Sequence, residues 1–124
     1  MFTSTINEVK LMGNVAKKPE LKEAINGSLH CRVDLATNRS YVDQHGEIHE
    51  FTDWIPVRFW RGHAKNANAF LEKGTRVHIE GRLETYSRMK NGERVYRMEV
   101  VATKMIVIDK KEKKYDMSDK KILS

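Results

Sequence analysis

A single cysteine, Cys31, in 124 residues excludes an internal disulfide framework and a zinc cage built from cysteines. Proline is almost as scarce, with two residues. No apolar run approaches the roughly 18 residues of a membrane-crossing helix, and the longest are strand-sized. The opening MFTSTINEVKLMGNV has no basic start leading into an apolar block and a small-residue cleavage site, so a secretory leader is not expected. With one thiol, this points to a reducing, cytoplasmic compartment. A phosphate-cradling glycine loop and a paired-carboxylate arrangement are also missing, so no catalytic residues and no cofactor are expected. Internal repeats and low-complexity blocks are absent as well.

What is present is a 40% hydrophobic share, enough for one packed core but not two at this length. Twenty-three Lys and Arg side chains stand against seventeen Asp and Glu, a formal net charge of +6, which favours a polyanionic partner. The excess is not confined to one end. The last sixteen residues, DKKEKKYDMSDKKILS, hold six basic and four acidic groups, leaving seventeen and thirteen in residues 1–108. That ending has few large apolar groups and reads as a disordered charged tail, residues 109–124, behind a folded domain of residues 1–108.

Hydrophobic periodicity gives the elements. INEVKLMGNV, residues 6–15, reads as a strand that can bend at Gly13. KKPE is a turn, and a short strand over 21–25 ends at Asn26-Gly27, a hairpin signal. LHCRVDL alternates, with Leu29, Cys31, Val33 and Leu35 on one face. The polar Asp43-Gln44-His45-Gly46 reads as the tip of a long hairpin returning through FTDWIPVRFW, residues 51–60. HAKNANAFLEKG, residues 63–74, has helical spacing and a glycine at its end. TRVHIEGRLETY alternates again, and Asn91-Gly92 turns the chain into a last strand over 94–108. Three strands, one helix and two strands predict an all-β fold: a five-stranded OB barrel with one helix between strands three and four. A ferredoxin-like fold needs a second helix, and none is found.

The segment DWIPVRFW carries the chemistry. Ile55, Val57 and Phe59 make an ordinary core face, while Trp54, Arg58 and Trp60 share the other. Aromatic planes beside a guanidinium on an exposed strand suit a single-strand binder, because bases stack on rings while cations hold phosphates. On this strand alone, a tryptophan tucked under a loop or into a subunit contact is an equal reading. Arg82, Tyr86 and Arg88 on the following strand, and Arg39 with Tyr41 on the hairpin arm, add two more aromatic–basic clusters. Strand parity does not place Tyr41 on the Trp54 face; a bulge or twist is required for that.

INEVKLMGNVAKKPEL, VDLATNRSY, the DW pair and FLEKGTRVHIEGRLET, collinear over about residues 5–108, resemble the DNA-binding domain of the bacterial single-stranded DNA-binding protein (SSB) family. The resemblance implies an OB barrel without catalytic activity, assembled as a homotetramer (a dimer is the alternative) around which single-stranded DNA wraps. It implies sequence-independent DNA binding and protection in replication, recombination or repair, beside the nucleoid. The family's stacking aromatics fall on Tyr41, Trp54 and Trp60. A fourth falls on Arg88; either Tyr86 takes its place or Arg88 stacks its guanidinium plane. Lys73 matches a basic position, while Asp43 and Ser87 stand where lysines are common, with Arg39, Arg58, Arg61, Arg82 and Arg88 as replacements. The family's acidic recruiting tip has no counterpart in DKKILS, which argues against recruitment of replication or recombination proteins by that route. A specialised paralogue and a phage or mobile-element origin both remain open.

The competing readings are an RNA-binding OB module and a primosome-type relative whose work is as much protein contact as DNA. His45 and His49 with Glu47 and Glu50 offer metal-binding side chains, but on a hairpin tip and without HExxH order, so no metal is expected. Cys31 beside His30 is not a nucleophile pair, since neighbours on a strand face opposite ways; it reads as a small core residue.

Overall fold

The computed structural model describes residues 4–109; residues 110–124, on which the tail expectation falls, lie outside the described residues. The elements are β1 (Val9–Val15), β2 (Lys22–Glu23), β3 (Leu29–Val42), β4 (Ile48–Trp60), α1 (Arg61–Phe70), β5 (Arg76–Lys90) and β6 (Glu93–Asp109). The sheet runs β1-β5-β6-β4-β3-β2, and Asn14 and Val15 of β1 also pair with Ala36 and Leu35 of β3, which closes the barrel. The five long strands and the single helix are the predicted OB arrangement; β2 is a two-residue remnant of the strand expected over 21–25.

The core is built from alternate positions: Val15, Val33, Leu35, Val57, Phe59, Val77, Ile79 and Val100 are all buried. Gly13 is where β1 turns from β5 to β3. A Cβ there would run into the Ala36 carbonyl, so closure needs the missing side chain. Gly81 plays the same part beside the Val101 carbonyl, next to a shift in the β5–β6 register.

The spacing predicts a helix over 63–74, and the helix runs over Arg61–Phe70. It starts early because the chain leaves β4 at Trp60 and enters the helix through Arg61, held at a φ of 52°. It ends early because Leu71 turns extended and is fully buried beside Ala64 and Ala67. Gly74 (φ 87°) serves the turn into β5, where Thr75 N–H donates to the Glu72 carbonyl, rather than the helix end.

Both long hairpins project from the barrel. In the first, pairing is continuous from His30↔Trp60 to Val42↔Ile48, so it contains no bulge. In the second, Asn91 (φ 51°) and Gly92 (φ 80°) both adopt the left-handed conformation of a two-residue turn, as the sequence predicts.

Candidate nucleic-acid interface

Residues paired across a ladder share a face, so the register sorts every candidate. Trp54, Arg58 and Trp60 of β4 lie on the outer face opposite Ala36, Arg32 and His30 of β3. The ion pair of Arg58 with Glu99 places β6 on the same face, and Glu99 pairs with Glu84. Arg82, Tyr86 and Arg88 of β5 therefore belong to it too.

On that face Trp54 is the most open aromatic, 60% exposed. Trp60 is half-buried and leans on the His30 ring, centroids 5.1 Å apart at 36°. Tyr86 is half-buried and Arg88 exposed. Arg82 is exposed, with Nη2 2.7 Å from Glu84.

Arg58 is already engaged within the protein. Its Nε donates to Glu99 Oε2 at 2.9 Å, and its Nη1 to His30 Nδ1 at 3.0 Å. A guanidinium can only donate, so His30 Nδ1 is the acceptor and the proton sits on Nε2. Burial first, then the charges of Arg58 and Lys22, hold the His30 pKa below 6.5, against the opposing pull of Glu99. The ring beneath Trp60 is therefore neutral.

The second cluster lies on the other side of the ribbon. With no bulge in β3–β4, Tyr41 pairs with His49 and Arg39 with Phe51, on the face opposite Trp54. The rings form a continuous stack. Tyr41 lies 4.9 Å from His49 and 5.7 Å from Phe51, and the Arg39 guanidinium sits 4.9 Å over Phe51. Tyr41 (51% exposed) and Phe51 (42%) stay open to solvent, and Arg39 is tethered to Asp53 at 2.8 Å. Sequence reasoning misses Phe51. Only the hairpin register, set by the five-residue tip, aligns it with Tyr41.

Two basic candidates lie outside the strands. Arg61 occupies the strand-to-helix junction directly after Trp60, and Lys73 the turn between α1 and β5. At the hairpin tip, Asp43, Glu47 and His49 bring ligand-type atoms within 4.8 Å of one another. Both Asp43 oxygens already hold the turn, Oδ1 accepting from the His45 and Glu47 N–H groups and Oδ2 bonded to His49 Nε2 at 2.8 Å. These bonds keep the Asp43 carboxylate pKa below its ordinary value, the His49 bond most of all. Cys31 is buried against the Ala64 carbonyl, its thiol pushed up to about 11 by burial, as suits a core position.

The chain is similar to known proteins over most of its length. Residues 6–108 match the model of the single-strand binding protein family. Single-stranded DNA-binding protein 1 of Chlorobaculum tepidum is 34% identical over 116 residues, 92% of this chain and 72% of that protein. Single-stranded DNA-binding protein B of Bacillus subtilis is 35% identical over 106 residues, 85% and 92% of the two chains. Among solved structures, the Plasmodium falciparum SSB in complex with ssDNA superposes with a TM-score of 0.78 at 25% identity, covering 88% of this chain and all of that one.

Proposed function

The chain belongs to the single-strand binding protein family, and from that premise we propose how it binds single-stranded DNA without sequence preference. Members of the family are DNA-binding proteins, not enzymes. The observation that carries the reading is the outer sheet face: an exposed Trp54 in line with Trp60, and Tyr86, Arg82 and Arg88 across β6. Bases stack on Trp54, Trp60 and Tyr86, and Arg82 and Arg88 meet phosphates. The strand then crosses the β3–β4 ribbon to reach Tyr41, Phe51 and Arg39. Arg61, next to Trp60 in the chain, and Lys73 add positive charge, and Arg58 holds the His30 ring in place. Residues 1–108 are the binding domain and 109–124 a charged extension.

The protein self-associates, as a homotetramer or else a dimer. Leu83, Tyr96 and Met98, 40%, 70% and 55% exposed on one face of the β5–β6 arm, give it an apolar surface to cover. It acts beside the nucleoid of the cytoplasm, in replication, recombination or repair; among the described residues no helix is long and apolar enough to cross a membrane.

The test is intrinsic tryptophan fluorescence. Oligo(dT) should quench it, an equally long blunt duplex should not, and oligo(U) should compete poorly. Equal affinity for the duplex overturns the reading, and oligo(U) binding as tightly as oligo(dT) moves it to RNA. Mass determination in solution, alone and with long oligo(dT), fixes the assembly.

A further inference from the structure

Beside His30, the cross-strand partner of Trp60, the outer face falls into a cleft of about 440 Å³, lined by Lys17, Lys18, Lys22, His30, Arg32 and Arg58 among others. Strand register gives the cleft its order. Lys22 of β2 pairs with His30 of β3, and His30 with Trp60 of β4, so ammonium, imidazole and indole stand in one cross-strand row. Neighbours in such a row are roughly 5 Å apart.

The groups differ in how far they are already engaged. Lys18 is held by Glu72 at 3.3 Å and by the Asn68 carbonyl at 3.1 Å, and Arg32 by Asp34 at 3.0 Å. Lys17 and Lys22 make no ion pair or side-chain hydrogen bond among the described residues, and both are exposed. His30 spends Nδ1 on Arg58, which leaves Nε2–H as a donor with no partner among the described residues. Glu20 and Asp34 also line the cleft, and Asp34 is already paired with Arg32.

We propose that the row Lys22–His30–Trp60 is a nucleotide subsite, in which a base stacks on Trp60 while its backbone phosphate accepts from His30 Nε2–H and Lys22, with Lys17 alongside. This rests on the single-strand reading above and extends it past Trp60 onto β2. It also explains what the Arg58–Glu99 pair does beneath the site, because Arg58 fixes the imidazole tautomer that leaves Nε2 protonated. Arg58 is thus a positioning residue and His30 a binding one.

The two contacts leave different marks in a salt titration. Lys22→Gln removes one cation, so the slope of log affinity for oligo(dT) against log salt should shrink by about 0.7, near fivefold between 1 M and 0.1 M salt. His30→Phe keeps a ring under Trp60 but loses a neutral donor; affinity should drop about tenfold with the slope unchanged. Lys104→Gln, on β6 outside this cleft, controls for net charge, and Trp54→Ala tests the underlying reading. If Lys104→Gln flattens the slope as much as Lys22→Gln, the effect is diffuse charge and the subsite is wrong. If Trp54→Ala weakens binding while Lys22→Gln and His30→Phe match the wild type, the subsite alone fails. If the wild type ignores oligo(dT), or Trp54→Ala binds as well as the wild type, the single-strand reading fails first.

Discussion

Arg58 and Glu99 form the least exposed ion pair among the described residues, joining β4 to β6 with side chains only 18% and 11% exposed. Two strands that pair at Val57↔Val100 and Arg58↔Val101 are thereby also tied through their side chains. A charge withdrawn from water depends on its partner, and losing one leaves the other stranded. Arg58→Met should therefore lower folding stability by about 1.5–3 kcal/mol, read from urea midpoints. Replacing both, Arg58→Met with Glu99→Leu, should recover most of the loss. A variant of unchanged stability with a flatter salt dependence of DNA binding would instead make Arg58 a phosphate ligand.

Nearby positions on β4 should separate binding from folding. Trp54 is open to solvent and Phe59 fully buried. Trp54→Ala is expected to weaken oligo(dT) binding by about 1–3 kcal/mol with an unchanged melting curve. Phe59→Ala should instead cost about 3–5 kcal/mol of stability. The assignment of faces is inverted if Trp54→Ala melts the domain and leaves binding per folded molecule intact.

The stack on the far side of the ribbon makes a separate claim. Tyr41 and Phe51 touch each other but not Trp54, which faces the other way. Losses from Tyr41→Ala and Trp54→Ala should add, within about 0.5 kcal/mol, whereas those from Tyr41→Ala and Phe51→Ala should fall short of additivity. Titrations of the double variants measure this. Additivity of Tyr41 with Phe51 would show that bases meet the two rings independently.

The strands and turns of this barrel are legible in the sequence because each carries its own local signal. Cys31, Val33 and Leu35 alternate, and Asn91-Gly92 can turn a hairpin unaided. The outer face of β4 is readable for the same reason. What escapes depends on register and on distant parts of the chain. Phe51 joins Tyr41 only through the hairpin pairing, and Lys22 meets His30 and Trp60 only once three strands align. Pattern alone makes Arg58 a phosphate contact, because Glu99, 41 residues away, cannot be foreseen as its partner. The helix boundary shifts because burial of Leu71 and the left-handed Arg61 outweigh local helical spacing.

Barrel closure places a strict demand on Gly13. Its position opposite the Ala36 carbonyl leaves no space for a Cβ, and the obstacle is backbone, which cannot swing aside. Gly13→Ala should cost about 1–3 kcal/mol or more through displacement of β1 from β3. Gly62 is a matched control, since a Cβ there meets nothing within 4 Å. Gly62→Ala, inside α1, should be neutral or stabilising by up to about 1 kcal/mol. Thermal melts of the two variants that move together would remove the argument for close approach.

The His30 ring makes stability depend on pH in a definite direction. Unfolded, the imidazole titrates near 6.5; folded, burial and the neighbouring Arg58 and Lys22 charges hold its pKa lower, with Glu99 opposing them. Between those values the unfolded chain takes up a proton that the folded chain refuses, so acid favours unfolding. The contribution is complete above about pH 6.5 and is lost as pH falls from there through the folded pKa. Two carboxylates follow in a more acid window: Asp43 and Glu80 lie below their ordinary 3.8 and 4.5, chiefly through bonds to His49 and His78. Urea midpoints at about pH 7.5, 6.5 and 5.5 should therefore decline below 6.5, and His30→Phe should flatten that decline while leaving the loss below about pH 4.5 in place. An undiminished fall from the second pH to the third in His30→Phe would assign the proton to another group and leave the neutral imidazole beneath Trp60 without support.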